Sequence, residues 1–352
     1  MATNKRLIKS NDEGGAVGTS FNTVVYSGNA STNPITTAGF QPDLVWIKCR
    51  TVSGESHWLT DSVRGAQKSL SSNQTIAEQN ITNGLVSFDP DGFTVGSYTA
   101  FNSTSGGADN MVAWCWKAGG AAVTNNDGTI TSQVSANVEA GFSIVSYTAN
   151  GTSGATIGHG LSQEADLVIV KNTNLSTQSW NTYVKDVTDT NAKYLMLNNA
   201  SGIGNTANPR FIVGNFSSDV FSVGNDNSTN GISGTDNYIA YCFHSVAGFS
   251  KFGSYDGTGA GVQNTINCGF APRFVMIKRT NSTGGWRMFD NVRGLDKSIQ
   301  AQSSGAEYDD TTNYLDFYAN GFEFNNGVSY QSNPDINASG GEYIYMAFAN
   351  QF

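Results

Sequence analysis

Charge is scarce in this chain. Asp, Glu, Lys and Arg make up 13% of its 352 residues, where about a quarter is usual in soluble proteins. The net charge is −9. With no basic surface to displace counterions, nucleic acid and anionic membrane surfaces are not expected partners. No run of about 18 apolar residues occurs, so no membrane insertion is expected. The opening MATNKRLIKSNDEGG has no apolar stretch of the kind a secretory signal carries. Four cysteines, Cys49, Cys115, Cys242 and Cys268, are too few for a disulfide framework in a chain of this length. Three histidines, His57, His159 and His244, share no common motif. Neither HExxH nor CxxC spacing occurs, so no zinc site is expected. Neither a metal nor a cofactor is implied. A heptad repeat is missing too, which leaves no coiled-coil stalk.

In place of charge stand Ser, Thr, Asn and 40 glycines, with 11% aromatics. Polar uncharged surfaces and frequent turns suit an all-β protein. The chain also repeats itself. GFQPDLVWIK (39–48), LSQEADLVIVK (161–171) and GFAPRFVMIK (269–278) are versions of one motif. DGFTVG (91–96), DVFSVG (219–224) and NGFEFN (320–325) are a second. NMVAWCW (110–116), NYIAYCF (237–243) and EYIYMAF (342–348) close each unit. Each unit is the size of a small domain, too long for a solenoid repeat.

The expected organisation is an N-terminal arm (1–20) followed by three tandem β-sandwich domains of jelly-roll or lectin-like type (21–118, 142–245 and 249–352). Residues 119–141 form a linker with a candidate hairpin, in which Thr129, Thr131 and Val134 are the candidate strand residues. The short joint at 244–248 should pack the last two units rigidly, with the first offset. Four successive apolar residues, as in Leu44-Val45-Trp46-Ile47, cannot alternate between core and water. Such strands need cover on both faces. Cys115 and Cys242 occupy matching places where the third unit has Ala347, which reads as a small buried site rather than a bonded one.

Few residues offer chemistry. Asp61 and Arg64 in DSVRG match Asp290 and Arg293 in DNVRG. An aspartate held by arginine is a poor general acid, so these pairs are expected to be structural staples, lost from the second unit. No catalytic residue is expected. DNSTNG (226–231) resembles half a calcium loop, but position twelve is Asn237 where a bidentate Glu is required, so it is expected to be a hairpin loop. Trp58, Trp180 and Trp286 follow each lysine strand in polar surroundings. They are candidates for an exposed platform on which sugar rings stack.

The succession GFQPDLVWIK, DSVRG, DGFTVG and AWCWKAGG resembles the tandem-repeat virion structural, or tail-fibre-like, proteins of marine and cyanobacterial tailed phages. The resemblance covers nearly the whole chain after the arm. It implies a phage virion protein built of all-β domains. The composition, without signal or disulfides, fits assembly in the host cytoplasm, and doubly apolar strands that one small sandwich leaves partly uncovered lead to the expectation of self-association or docking on other virion proteins. The expected role is a non-enzymatic tail fibre or appendage that contributes to attachment to host surface polysaccharide. The alternatives are a capsid decoration protein or head fibre, and a glycan-degrading tailspike.

Overall fold

A computed structural model describes residues 20–108, 110–231, 234–259, 261–309, 315–324 and 335–349. The expected arm lies outside these residues up to Thr19. The fold is all-β. The first segment runs β1 (Phe21–Tyr26), β2 (Asn33–Ile35), β3 (Leu44–Cys49), β4 (Trp58–Asp61), β5 (Lys68–Leu70), β6 (Gln79–Asn80), β7 (Leu85–Asp89), β8 (Gly92–Val95), a one-turn helix α1 (Thr99–Asn102), and β9 (Met111–Trp116). The joint supplies β10 (Val123–Asn125) and β11 (Ser132–Asn137). The second segment runs β12 (Phe142–Thr148), β13 (Ala155–Gly158), β14 (Leu167–Asn172), β15 (Asn181–Val184), β16 (Lys193–Met196), β17 (Gly204–Asn205), β18 (Val220–Val223) and β19 (Asn237–Phe243). The third runs β20 (Ser250–Asp256), β21 (Asn264–Asn267), β22 (Pro272–Arg279), β23 (Trp286–Asp290), β24 (Lys297–Gln300), β25 (Tyr308–Asp309), β26 (Leu315–Tyr318), β27 (Gly321–Phe324) and β28 (Glu342–Ala349).

The apolar runs dictate the strand order. β3 and β9 are buried at every residue, so neither can lie at a sheet edge. They pair at the centre of an antiparallel sheet ordered β1-β9-β3-β4-β5-β6. The order recurs as β12-β19-β14-β15-β16-β17 and as β20-β28-β22-β23-β24-β25. The register recurs too. Leu44, Leu167 and Phe274 lie opposite Trp116, Phe243 and Phe348. The joint hairpin extends only the second sheet, through β11 on β12. Val134 lies in β11, whereas Thr129 and Thr131 lie in the hairpin loop.

Alternation along each central strand sends its two sets of side chains to different cores. Val45, Ile47 and Cys49 face a core of their own segment, closed by the small sheet β2-β8-β7. The small sheets β13-β18 and β21-β27-β26 do the same for the other two. Leu44, Trp46 and Trp114 face the other way. They join Ile169 and Tyr241 of the second segment, and Phe274 and Met346 of the third, in one continuous core. Phe348 lies 5.8 Å from Trp116 and 6.1 Å from Phe243, so the three segments meet there ring to ring.

Each segment supplies one cover for its doubly apolar sheet, and the other two segments supply the second. The first segment is not offset, because it packs on both of the others. Among the described residues no helix is long and apolar enough to cross a membrane.

Candidate functional site

The chemistry of this molecule lies in the three seams where one large sheet meets the next. Each seam is built by equivalent residues. In the first seam, the turn after β5 reaches β14 and the loop after it: Glu78 N–H donates to the Thr173 carbonyl at 2.9 Å. In the second, Ile203 N–H donates to Thr280 at 2.7 Å, and in the third, Glu307 N–H donates to Arg50 at 2.7 Å. The third seam thus returns from the last segment to the first and closes the circle.

A ring nitrogen crosses each seam as well. Trp180 Nε1 donates to the Ser71 carbonyl at 2.8 Å, and Trp286 Nε1 to that of Met196 at 2.9 Å. In the third seam the ring is that of His57, with Nε2 3.1 Å from the Gln300 carbonyl.

This overturns the expected sugar platform. Trp180 is 0% exposed, Trp286 2% and Trp58 6%. A stacking platform needs a bare ring face, and these indoles are packed inside. Trp58 is also not the counterpart of the other two. In strand register it matches Asn181 and Arg287, and His57 matches the tryptophans. Trp58 faces its own segment's core and stacks on Phe101 at 6.1 Å. Counting back four residues from Asp61, Val184 and Asp290 reveals the true alignment in the sequence.

The Asp–Arg pairs are in place and reach further than a loop. Arg64 Nε lies 2.6 Å from Asp61 Oδ2, and Arg64 Nη1 lies 3.2 Å from Glu78. Across the seam, Tyr241 Oη donates to Asp61 Oδ2 at 2.9 Å. The third seam repeats this. Arg293 lies 2.6 Å from Asp290 and 2.8 Å from Glu307. Trp114 Nε1 donates to Asp290 Oδ2 at 3.1 Å, and the Arg293 guanidinium sits 5.4 Å from the centre of a Trp114 ring. Arg50 adds a further pair with Glu307 at 2.8 Å. In the second seam the corresponding residues are Val184, Val187 and Ile203, all packed on the shared core. Glu78, Glu307, Tyr241 and Trp114 were not among the sequence candidates, because Tyr241, Trp114 and Glu307 find partners across a seam and Glu78 meets Arg64 from 14 residues away.

The lysine that ends each long apolar run is buried at the same seams. Lys171 Nζ donates to the Thr75 carbonyl at 3.1 Å and Lys278 Nζ to Ala200 at 2.9 Å, each in the preceding segment. Lys48 Nζ bonds its neighbour Cys49 at 2.6 Å. Burial pushes all three down to about 8. None is solvent-exposed, so none is placed as a nucleophile.

Other candidates resolve locally. Asp226 of DNSTNG accepts from Ser228 N–H at 2.8 Å and from Asn208 at 3.0 Å, and pairs with Arg210. Among the described residues no group of three or more His, Cys, Asp or Glu side chains is placed to hold a metal ion. An open cleft of about 780 Å³ lies between the first segment and the joint hairpin, lined by Phe40, Asp43, Lys117 and Val138 among others. Asp43 is occupied there by Ser62 and the Ala118 N–H, each at 2.8 Å.

The class this defines is an all-β protein of three matching antiparallel sheets closed on one core, with its polar chemistry spent on the seams. The chain belongs to the family described as Domain of unknown function (DUF7483), whose profile matches residues 17–351. Neither the curated proteins nor the solved structures give a match.

Proposed function

We propose that the protein is a non-enzymatic surface component of a phage virion, and that it braces or decorates the capsid. In this reading the three segments are copies of one sandwich-like domain, and the partners are other virion proteins. The observation that carries it is the closed circle of three equivalent seams in one chain. A body with approximate threefold symmetry suits a threefold-related position in a symmetric shell. The sequence resemblance to virion structural repeats points the same way.

Burial of Trp180 and Trp286 supports this order of the alternatives. A tail fibre or appendage attaching to host polysaccharide would need a glycan site, and its expected carriers are inside the protein. That reading now stands second. The apolar faces that sequence alone would leave for a second copy are covered within the chain, so self-association is not what supports the proposal.

Immunogold labelling of intact particles with antibody to this chain tests it. Label over the head is expected. Label confined to tail tips would favour the attachment role, and unlabelled particles would remove the virion reading. Clearing of host polysaccharide by purified protein would overturn the non-enzymatic assignment.

A further inference from the structure

We infer that the seam between the third segment and the first is an acid-sensitive latch, with His57 as its sensor. The first and second seams join segments that follow one another in the chain. The third joins the first and last segments, and its contacts are all non-covalent. It is also the seam in which an imidazole replaces an indole.

An indole N–H does not titrate in the physiological range, and an imidazole does. His57 has both nitrogens committed. Trp46 Nε1 donates to its Nδ1 at 2.9 Å, and its Nε2 faces the Gln300 carbonyl at 3.1 Å. An indole only donates and a carbonyl only accepts, so the ring is neutral with its proton on Nε2. A second proton on Nδ1 would point at the Trp46 N–H.

The surroundings do not welcome an imidazolium. The ring is fully buried and stacks on Trp114 at 6.5 Å. The nearby charges, Lys48 and Arg293, are cationic. The carboxylates of the seam, Asp290 and Glu307, are taken by Arg293, Trp114 and Arg50. Burial first, then Lys48 and Arg293, hold His57 well below the usual histidine range, offset in part by the Gln300 carbonyl.

The sign follows from linkage. With the seam open, His57 meets water and takes a proton near about 6.5. With it closed, the proton is refused. The seam is therefore fully stabilised above that pH and weakens as pH falls below it. At pH 5 the open population should rise by about 30-fold if the closed ring stays neutral.

The protein itself supplies the control. Where the first segment has Trp46 beside His57, the second has Ile169 beside Trp180 and the third Met276 beside Trp286. Large and small exchange places. The double change Trp46→Ile with His57→Trp rebuilds the second segment's arrangement without a titratable group.

Hydrogen exchange on the full chain, corrected for intrinsic rates, reads the three equivalent amides of Glu307, Glu78 and Ile203. Between pH 8 and pH 5, opening at Glu307 should rise about 30-fold relative to the other two. The first seam shares the Asp–Arg–Glu set, so it accounts for any effect of acid on carboxylates. The double variant should lose the difference. His57→Gln, which keeps a donor and an acceptor but gains no proton, should lose it too if the double variant does not fold. Equal response at all three amides, or an acid effect that survives in a folded variant without His57, would overturn the latch.

Discussion

Tyr241 of the second segment donates its phenol O–H to Asp61 of the first, at 2.9 Å and fully buried. The residue at the same place in the first segment is Trp114, which donates to Asp290. In the third segment it is Met346, which has nothing to donate. The segment that faces Met346 has Val184 in place of the aspartate, Val187 in place of the arginine and Ile203 in place of the glutamate. Four positions thus change together. A buried carboxylate needs its cation and its donor, and without them an apolar set packs at less desolvation cost.

The first prediction exchanges one seam for another. Asp61→Ala alone leaves the buried Tyr241 hydroxyl without its acceptor and Arg64 with Glu78 as its remaining carboxylate, and should cost about 3–5 kcal/mol in urea unfolding. Changing Asp61→Val, Arg64→Val, Glu78→Ile and Tyr241→Met together copies the second seam and should restore stability to the natural level or above. A quadruple variant weaker than the single one would show that the four do not act as a set.

Trp180→Ala and Trp286→Ala should each lower stability by about 3–5 kcal/mol, because each opens a cavity and strands a carbonyl across the seam. Thermal unfolding is the check. Variants of unchanged stability that lose affinity for host polysaccharide would bring the sugar platform back.

All four cysteines are free and buried. Folded protein should resist a thiol reagent, and the same protein in denaturant without reductant should titrate four groups. Two or fewer would mean that a bond forms in solution.

Alkali should weaken the fold. Burial holds Cys115 and Cys242 protonated well above the usual thiol range, and Tyr26, Tyr147 and Tyr255 likewise above that of a phenol. For such acids the unfolded chain releases the proton first, so stability falls as pH rises past about 8.5 for thiols and about 10 for phenols. The three buried lysines, at about 8, oppose this, since their desolvation cost eases above that pH. Cys115→Ala, which copies Ala347, should reduce the alkaline slope by about 1.4 kcal/mol per pH unit. Urea midpoints measured from pH 8 to 11 provide the comparison, and an unchanged slope would count against a buried thiol.

Sequence alone determined the local grammar of this protein. The all-β class, the central place of Leu44–Cys49 and its counterparts, and the order of the motifs follow from apolar runs and turns that act over a few residues. The pairing of Asp61 with Arg64 was legible because the two lie within one turn. What the second face of each sheet would meet was not legible. A strand's burial pattern states that a cover exists, without saying which distant segment provides it. Only the tertiary structure decided that three sheets cover one another. Only it placed Tyr241 on Asp61, His57 on Gln300, and three tryptophans inside where a sugar platform was expected. The bonds that cross the seams join residues 90 to 243 positions apart, and their energies appear only once the circle closes.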